Sequence, residues 1–160
     1  MRCEEEVSQA IDKYGDMIRR ICFIHLKKET DVDDIFQNVF IKYATKDIAY
    51  ASAEHEKAWF IRVSINECRS MLRGWFHQKV DLRDDLSKYG LAEPAHHPEV
   101  LQAILKLRDT YRNVVYLYYY EGYKITEIAK ILNRSENTIH TWMKRAKEQL
   151  KEMLGGDPLA

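Results

Sequence analysis

Residues 124–150 read KITEIAKILNRSENTIHTWMKRAKEQL, and this stretch decides the fold of the C-terminal part of the chain. Its first apolar run predicts a short helix in which Ala129 is small enough for a second helix to cross closely. Asn133 follows at the turn, where asparagine tolerates the left-handed conformation better than most residues do. Ser135 can then cap a second helix through its hydroxyl. This spacing predicts a helix-turn-helix.

The second helix is predicted to run from Glu136 to about Leu154. Its apolar residues recur every three or four positions and should pack inward: Ile139, Met143, Ala146, Leu150 and Met153. The other faces carry groups that suit base edges and phosphates: Asn137, Thr138, His140, Thr141, Trp142, Lys144 and Arg145. Residues 133–151 hold five Lys and Arg against two Asp and Glu, so positive charge is local. These seven residues are candidate DNA contacts; the alternative is an ordinary surface helix with solvated charges.

The whole chain, by contrast, is balanced in charge. Its 160 residues include 25 Lys and Arg and 25 Asp and Glu, and 46% are hydrophobic, which is typical of a folded protein and excludes disorder. Only 6 Gly and 3 Pro argue against a many-stranded β-protein. The N-terminus lacks the apolar core of a signal peptide, so we expect a cytoplasmic protein.

No feature of the sequence indicates catalysis, a metal or a cofactor. Three widely spaced cysteines, without a CxxC pair, predict reduced thiols rather than a zinc site or a disulfide framework. His96 and His97 have no nearby cysteine and are read as solvated loop residues. We therefore expect a non-enzymatic protein.

Residues 1–76 are predicted to form three helices, over about 4–26, 31–44 and 57–75. Each has an apolar stripe at helical spacing. The stripes consist of Val7, Ile11, Tyr14, Ile18, Ile21 and His25; of Ile35, Val39, Phe40 and Tyr43; and of Ile61, Ile65, Cys68, Leu72 and Phe76. The stretch 77–98 lacks such a period and contains two of the three prolines, which predicts a flexible linker over 77–97. The expected fold is all-α, with two small helical domains, 1–76 and 98–160.

The third helix carries a second, polar stripe beside its apolar one. Three arginines and an asparagine follow each other at helical spacing and suit a nucleic-acid backbone and an exposed base edge: Arg62, Asn66, Arg69 and Arg73. A solvated helix face is the alternative. Trp59, near the start of this helix, is either a core residue or a stacking platform for an unpaired base.

The second helix opens with acidic residues instead. Asp31, Asp33 and Asp34 are either ordinary N-terminal helix charges or part of a surface for a protein partner. In the second case the surface would consist of Asp31, Asp34, Gln37, Asn38 and Lys42.

Three segments, in this order, resemble the extracytoplasmic-function (ECF) group of bacterial RNA polymerase sigma factors. DVDDIFQNVFIKYA (31–44) is similar to the signature D-x-x-D-[IL]-x-Q-x-x-F. KAWFIRVSINECRSMLR (57–73) is similar to A-W-L-x-x-I-A-x-N-x-x-x-x-x-x-R. Residues 111–150 resemble the segment that leads into and forms the promoter-binding helix-turn-helix. Order and spacing agree over nearly the whole chain.

The resemblance implies a role for each part. Residues 1–76 would bind the clamp of the polymerase core and recognise the melted −10 element, with Lys57, Trp59, Arg62, Asn66, Arg69 and Arg73 on the DNA side. The segment 48–56 corresponds to the loop that captures a flipped −10 base. Residues 98–160 would read the −35 duplex. An anti-sigma factor is an expected further partner.

Two other functions remain open from the sequence. A stand-alone helix-turn-helix regulator would bind duplex DNA as a dimer and would need neither the surface on 31–44 nor single-strand capture. A protein-interaction module with a vestigial helix-turn-helix would not depend on Arg145.

Overall fold

The computed structural model describes residues 1–26, 28–73 and 98–155, and within these ranges it contains helices and no strand. The helices are α1 (Glu4–His25), α2 (Glu29–Thr45), α3 (Ala53–Arg73), α4 (Pro98–Lys106), α5 (Asp109–Val115) with a π-helical turn (Tyr116–Tyr120), α6 (Ile125–Leu132) and α7 (Glu136–Leu154). They fall into two compact units, one holding α1–α3 and one holding α4–α7. The all-helical, two-domain prediction is confirmed. The predicted linker 77–97, its histidines and Phe76 lie outside the described residues.

The N-terminal unit consists of α1, α2 and α3, each packed against the other two. Ile18, Ile61 and Phe60 are completely buried where the apolar stripes meet. Gly15 faces the ring of Phe36 where α1 and α2 meet, and a Cβ placed there would lie 3.4 Å from the ring, at van der Waals contact. The core is therefore built mainly by the predicted stripes.

Two details of this unit differ from the prediction. α3 begins at Ala53 rather than near Lys57, because the Ser52 hydroxyl accepts a hydrogen bond (3.1 Å) from the His55 N–H and caps the helix. Ile11, predicted to lie in the core stripe of α1, is 38% exposed. The helical period placed it in the core stripe but could not tell which edge of that stripe the neighbouring helices cover.

The C-terminal unit packs α4, α5 and α6 around α7. Ile128, Ile139, Ala146 and Leu150 are buried at the centre, as the spacing predicts. Met153 was predicted to continue this stripe but is 42% exposed, because it lies in the last turn of α7, beyond the buried stripe.

The helical stretch over 109–120 is not uniform. After α5 the chain forms a π-helical turn, closed by the Glu121 N–H donating to the Tyr116 carbonyl (3.2 Å). Gly122 then takes a positive φ of 74°, which glycine adopts without steric cost, and this ends the helix. In the ranges 1–26, 28–73 and 98–155, no helix is both long and apolar enough to cross a bilayer.

Candidate nucleic-acid and protein interfaces

The turn between α6 and α7 has the backbone of a helix-turn-helix. Asn133 adopts the left-handed conformation (φ 55°, ψ 52°), as predicted. The Arg134 N–H donates to the Ala129 carbonyl (2.9 Å), and the Asn133 N–H donates to the Lys130 carbonyl (3.3 Å). These bonds satisfy carbonyls that α6 would otherwise leave open at its end.

Ser135 then starts α7. Its hydroxyl accepts a hydrogen bond from the Thr138 N–H (3.2 Å) and lies 2.9 Å from the Thr138 hydroxyl, which confirms the predicted cap. The turn and the cap together fix the angle between α6 and α7.

The candidate DNA-contacting residues of α7 lie on the faces turned away from its buried stripe. Asn137, His140, Thr141, Lys144 and Arg145 are exposed, and Thr138 and Trp142 are partly buried. The Thr141 hydroxyl donates to the Asn137 carbonyl (2.9 Å). The Thr138 hydroxyl contacts the hydroxyl of the capping residue Ser135. The amide, imidazole and cationic groups are thus the most available donors for base edges and phosphates.

The second stripe of α3 also lies at the surface. Arg62, Asn66 and Arg73 are exposed and Arg69 is partly buried, so these four side chains follow one line along the helix. The Arg73 guanidinium donates to the Ser70 hydroxyl (3.0 Å). The structure therefore brings together the basic and amide groups that the sequence proposed as one surface.

Trp59, left undecided between core and surface, is partly buried in a cluster of rings. Its centroid lies 5.0 Å from that of Phe60, 5.9 Å from that of Tyr50 and 6.0 Å from that of Tyr43. Phe60 is wholly buried beneath it. The indole thus has one side anchored in the core and part of its surface accessible, an arrangement that suits stacking on a base.

Glu56 supports this aromatic cluster from the first turns of α3. Its carboxylate accepts hydrogen bonds from the hydroxyls of Tyr14 (3.0 Å) and Tyr43 (3.1 Å). Burial, followed by this bond to a carboxylate, raises the pKa of Tyr43 to about 12 and raises that of Tyr14 as well. The phenols therefore stay protonated and hold the start of α3 to α1 and α2.

The segment 48–56, predicted as a capture loop, is partly helical. Residues 46–52 form the loop proper, and the remainder is the first turn of α3. The Ala51 N–H donates to His55 Nδ1 (2.9 Å), and the Tyr50 ring packs edge-on against both His55 (5.5 Å) and Trp59 (5.9 Å). The loop therefore has defined contacts rather than only solvent around it.

The candidate protein-binding surface on α2 is smaller than predicted. Asp34, Gln37 and Asn38 are exposed, and Lys42 is partly buried and forms an ion pair with Glu67 of α3. Asp31, however, is only 3% exposed. It lies in the first turn of α2 on the side that faces the core, so its carboxylate is not part of this surface.

Cys22 and Cys68 are buried free thiols, and Cys3 is exposed. The hydrogen bond with Cys22, together with burial, raises the pKa of the Cys68 thiol. Among the described residues no three His, Cys, Asp or Glu side chains are grouped as a metal site would require.

Sequence reasoning did not single out Tyr50, which packs against Trp59, or Glu56, which holds the start of α3 to α1 and α2. Both act on partners far away in the sequence or across the loop, so neither belongs to a helical stripe. A local signal existed only in Ser52, whose position before an acidic helix start is typical of a cap.

Comparison with known proteins finds sequence similarity to sigma factors. Residues 97–150 match the model of the family "Sigma-70, region 4". The ECF RNA polymerase sigma factor SigW of Bacillus subtilis is 25% identical over 94% of this chain and 90% of its own length. The RNA polymerase sigma factor SigV of the same species is 26% identical over 88% of this chain and 86% of its own length.

Solved structures share the fold. The sigma factor RpoE of Bartonella quintana, solved with the anti-sigma factor NepR, superposes with a TM-score of 0.75 and 20% identity, covering 96% of this chain and 99% of that one. CnrH, solved with the cytosolic domain of CnrY, superposes with a TM-score of 0.68 and 22% identity over 96% of this chain and 90% of that one.

The helix-turn-helix geometry, the matching family and the full-length relatives lead to one conclusion. The chain is similar over nearly its whole length to extracytoplasmic-function sigma factors of RNA polymerase, and its residues 97–150 match sigma-70 region 4.

Proposed function

We propose that this chain is a sigma factor that binds the RNA polymerase core and directs it to promoters by reading two elements with separate units. The C-terminal unit, residues 98–160, reads the −35 duplex. The N-terminal unit, residues 1–76, binds the core and recognises the melted −10 element, and residues 77–97 connect the two. The reaction itself belongs to the polymerase, so this chain needs no cofactor.

The observation that carries the proposal is the outward face of α7. A cap and a left-handed turn fix this helix, and its exposed donors and cations include Lys144 and Arg145. Such a helix enters the major groove, where side-chain donors distinguish base pairs and cations neutralise phosphates. Because the chain as a whole has zero formal charge, phosphate binding comes from local surfaces and should weaken as salt rises.

For the −10 element, the relevant groups are the second stripe of α3 and the aromatic cluster. Arg62, Asn66, Arg69 and Arg73 would follow the separated strand, while Lys57 and Trp59 lie at its base-capturing end. Extruding a base costs a few kcal/mol, which stacking and polar contacts in the capture site must offset.

The polymerase core would contact α2 through Asp34, Gln37, Asn38 and Lys42. An anti-sigma factor is a further proposed partner, since RpoE and CnrH were each solved with a partner chain, named as an anti-sigma factor for RpoE. It would inhibit by covering surfaces that otherwise meet DNA or polymerase.

Reconstituted transcription tests the −35 assignment. Arg145→Ala should reduce promoter-dependent transcripts by about 10-fold or more, since a lost contact to a base or phosphate costs roughly 1–3 kcal/mol. Lys151→Ala removes an equal charge from the exposed far end of α7 and should keep most activity. Full activity of Arg145→Ala would favour a protein-interaction module over a promoter reader.

Co-purification with core polymerase tests the α2 surface. Alanine at both Asp34 and Gln37 should reduce core binding without unfolding the protein, because both side chains are exposed. Alanine at Gln9 and Asp16 makes the same changes on the exposed side of α1 and serves as the control. Binding by the α2 double variant at the wild-type level would refute this surface.

A further inference from the structure

Arg2, which precedes α1, links the end of α2 to the loop at 46–52. Its backbone N–H donates to the Ala44 carbonyl (2.8 Å), its Nε donates to the Tyr43 carbonyl (3.2 Å), and its Nη2 donates to the Ile48 carbonyl. Two of these carbonyls lie in the last turn of α2, where helical carbonyls lack a partner within the helix. The third belongs to the loop itself.

The same guanidinium also contacts the aromatic cluster. It lies 4.4 Å from the centroid of the Tyr43 ring and 5.3 Å from that of Tyr50, and these two rings are nearly parallel, 6.3 Å apart. A planar guanidinium can stack on such rings while its N–H groups bind carbonyls in its plane. Arg2 therefore contacts both the backbone of the loop and the ring that the loop presents.

The far end of the loop is fixed differently. The bond from the Ala51 N–H to His55 Nδ1 and the Ser52 cap tie it to the start of α3. Between these two attachments lies Tyr50, which packs against Trp59, a residue of the proposed −10 surface. Only the attachment at the α2 end depends on Arg2.

We infer that Arg2 is a positioning residue for −10 recognition: it holds the loop at 46–52, and the Tyr50 ring with it, in the shape that receives an unpaired base. This inference rests on the proposed function. Arg2 acts through the loop and is not itself a base contact.

A positioning role and a general stabilising role for Arg2 predict different effects on DNA binding. If Arg2 only stabilised the fold, its loss would weaken binding to every promoter fragment by the same factor. A residue that shapes the capture site should instead alter the discrimination between one unpaired base and another.

The experiment measures this discrimination in holoenzyme made from core polymerase and the full chain. The probes are two fork-junction fragments of a promoter found by transcript mapping, differing only in the unpaired −10 base. We expect the wild type to bind them with Kd values about 10-fold apart, the usual order for one wrong base. Arg2→Gln should bring this ratio close to one while duplex −35 fragments bind as before.

Two further variants control for charge. Lys13 lines the same surface cleft as Arg2, and its ammonium lies 5.3 Å from the Tyr14 ring. Lys13→Gln removes one positive charge from this cleft and should keep the wild-type ratio of Kd values. Arg2→Lys should fail to restore it, since an ammonium cannot both stack on the rings and reach the separate carbonyls.

Amide hydrogen exchange of the full chain alone provides a second readout. Arg2→Gln should speed exchange of the Ile48 amide by about 10-fold, with amides beside Phe60 unchanged. Unchanged loop exchange, or a Kd ratio that stays at the wild-type value in Arg2→Gln, would overturn the inference alone. A wild-type ratio of one would instead contradict the proposed −10 role and this inference with it.

Discussion

The turn at 133–135 and the loop at 46–52 both lead into a helix of a proposed DNA-binding surface, yet they are held in different ways. The turn is fixed by neighbours in sequence: Arg134 bonds to Ala129, and Ser135 to Thr138. The loop depends on Arg2 and Tyr43 at one end and on His55 at the other. One surface is encoded locally, and the other is assembled by tertiary contacts.

This difference agrees with the two tasks proposed for them. A helix that reads duplex DNA meets a partner of constant shape, so a short, locally fixed motif is sufficient. Capturing an unpaired base requires stacking surfaces from several elements, which only a folded three-helix unit can bring together. Variants in the two regions should therefore fail in different ways.

We expect the largest effect from Phe60, which lies at the centre of the aromatic cluster in the N-terminal unit. Phe60 is fully buried, and its ring centroid lies within 5.4 Å of those of Tyr14, Phe40, Tyr43 and Trp59. Phe60→Ala should lower the free energy of unfolding of the N-terminal unit by about 3–5 kcal/mol. Hydrogen exchange of α1–α3 amides in denaturant measures it.

Ile41→Ala is the control for that experiment, because Ile41 is 58% exposed on α2. It should change the free energy by no more than about 0.5 kcal/mol. A loss below about 1 kcal/mol in Phe60→Ala would show that the aromatic cluster does not hold this unit together.

A smaller effect should come from the local turn. Asn133→Val places a β-branched residue at a φ of 55° and should destabilise the C-terminal unit by about 1–2 kcal/mol. Asn133→Gly fits the same backbone and should stay within about 0.5 kcal/mol of the wild type. Equal stability of both variants, measured by exchange of α6 and α7 amides, would mean that the left-handed turn is not required.

We expect the smallest effect only at high pH. It concerns the pKa values of two tyrosine hydroxyls, one in each unit. Tyr43 and Tyr120 both have a pKa raised to about 12, the first by burial and Glu56, the second by burial. A folded pKa above the unfolded value of about 10 gives stability that is complete below pH 10 and is lost as pH rises toward 12. Glu56→Gln should lower the pKa of Tyr43 and leave that of Tyr120 unchanged.

Residue-resolved NMR titration of the tyrosines checks this last prediction. Without the negative charge of Glu56, the N-terminal unit of the variant should lose less stability between about pH 10 and 12 than the same unit of the wild type does. A Tyr43 pKa that remains near 12 in Glu56→Gln would assign the whole shift to burial.

The sequence predicted the local features well. Asn133 and Ser135 take the predicted conformation and cap, and Ile139 lies buried as its spacing indicates. These features depend on neighbouring residues, so a one-dimensional pattern contains them.

Features that depend on tertiary contacts could not be read in the same way. Periodicity does not show which edge of a stripe is covered, so it failed for Ile11 and for Met153. It also could not show that the first turn of α2 buries Asp31, or that Arg2 reaches the loop. The contacts of Arg2 join residues more than 40 positions apart, and no local spacing records them.

Transcript mapping with purified components tests whether this chain selects the promoters at which the polymerase starts. Core polymerase is incubated with genomic DNA of the source organism, with and without this chain, and the 5′ ends of the transcripts are sequenced. We expect a new set of start sites that share one −35 and one −10 sequence and that are lost with Arg145→Ala. The same start sites with and without the chain would contradict it.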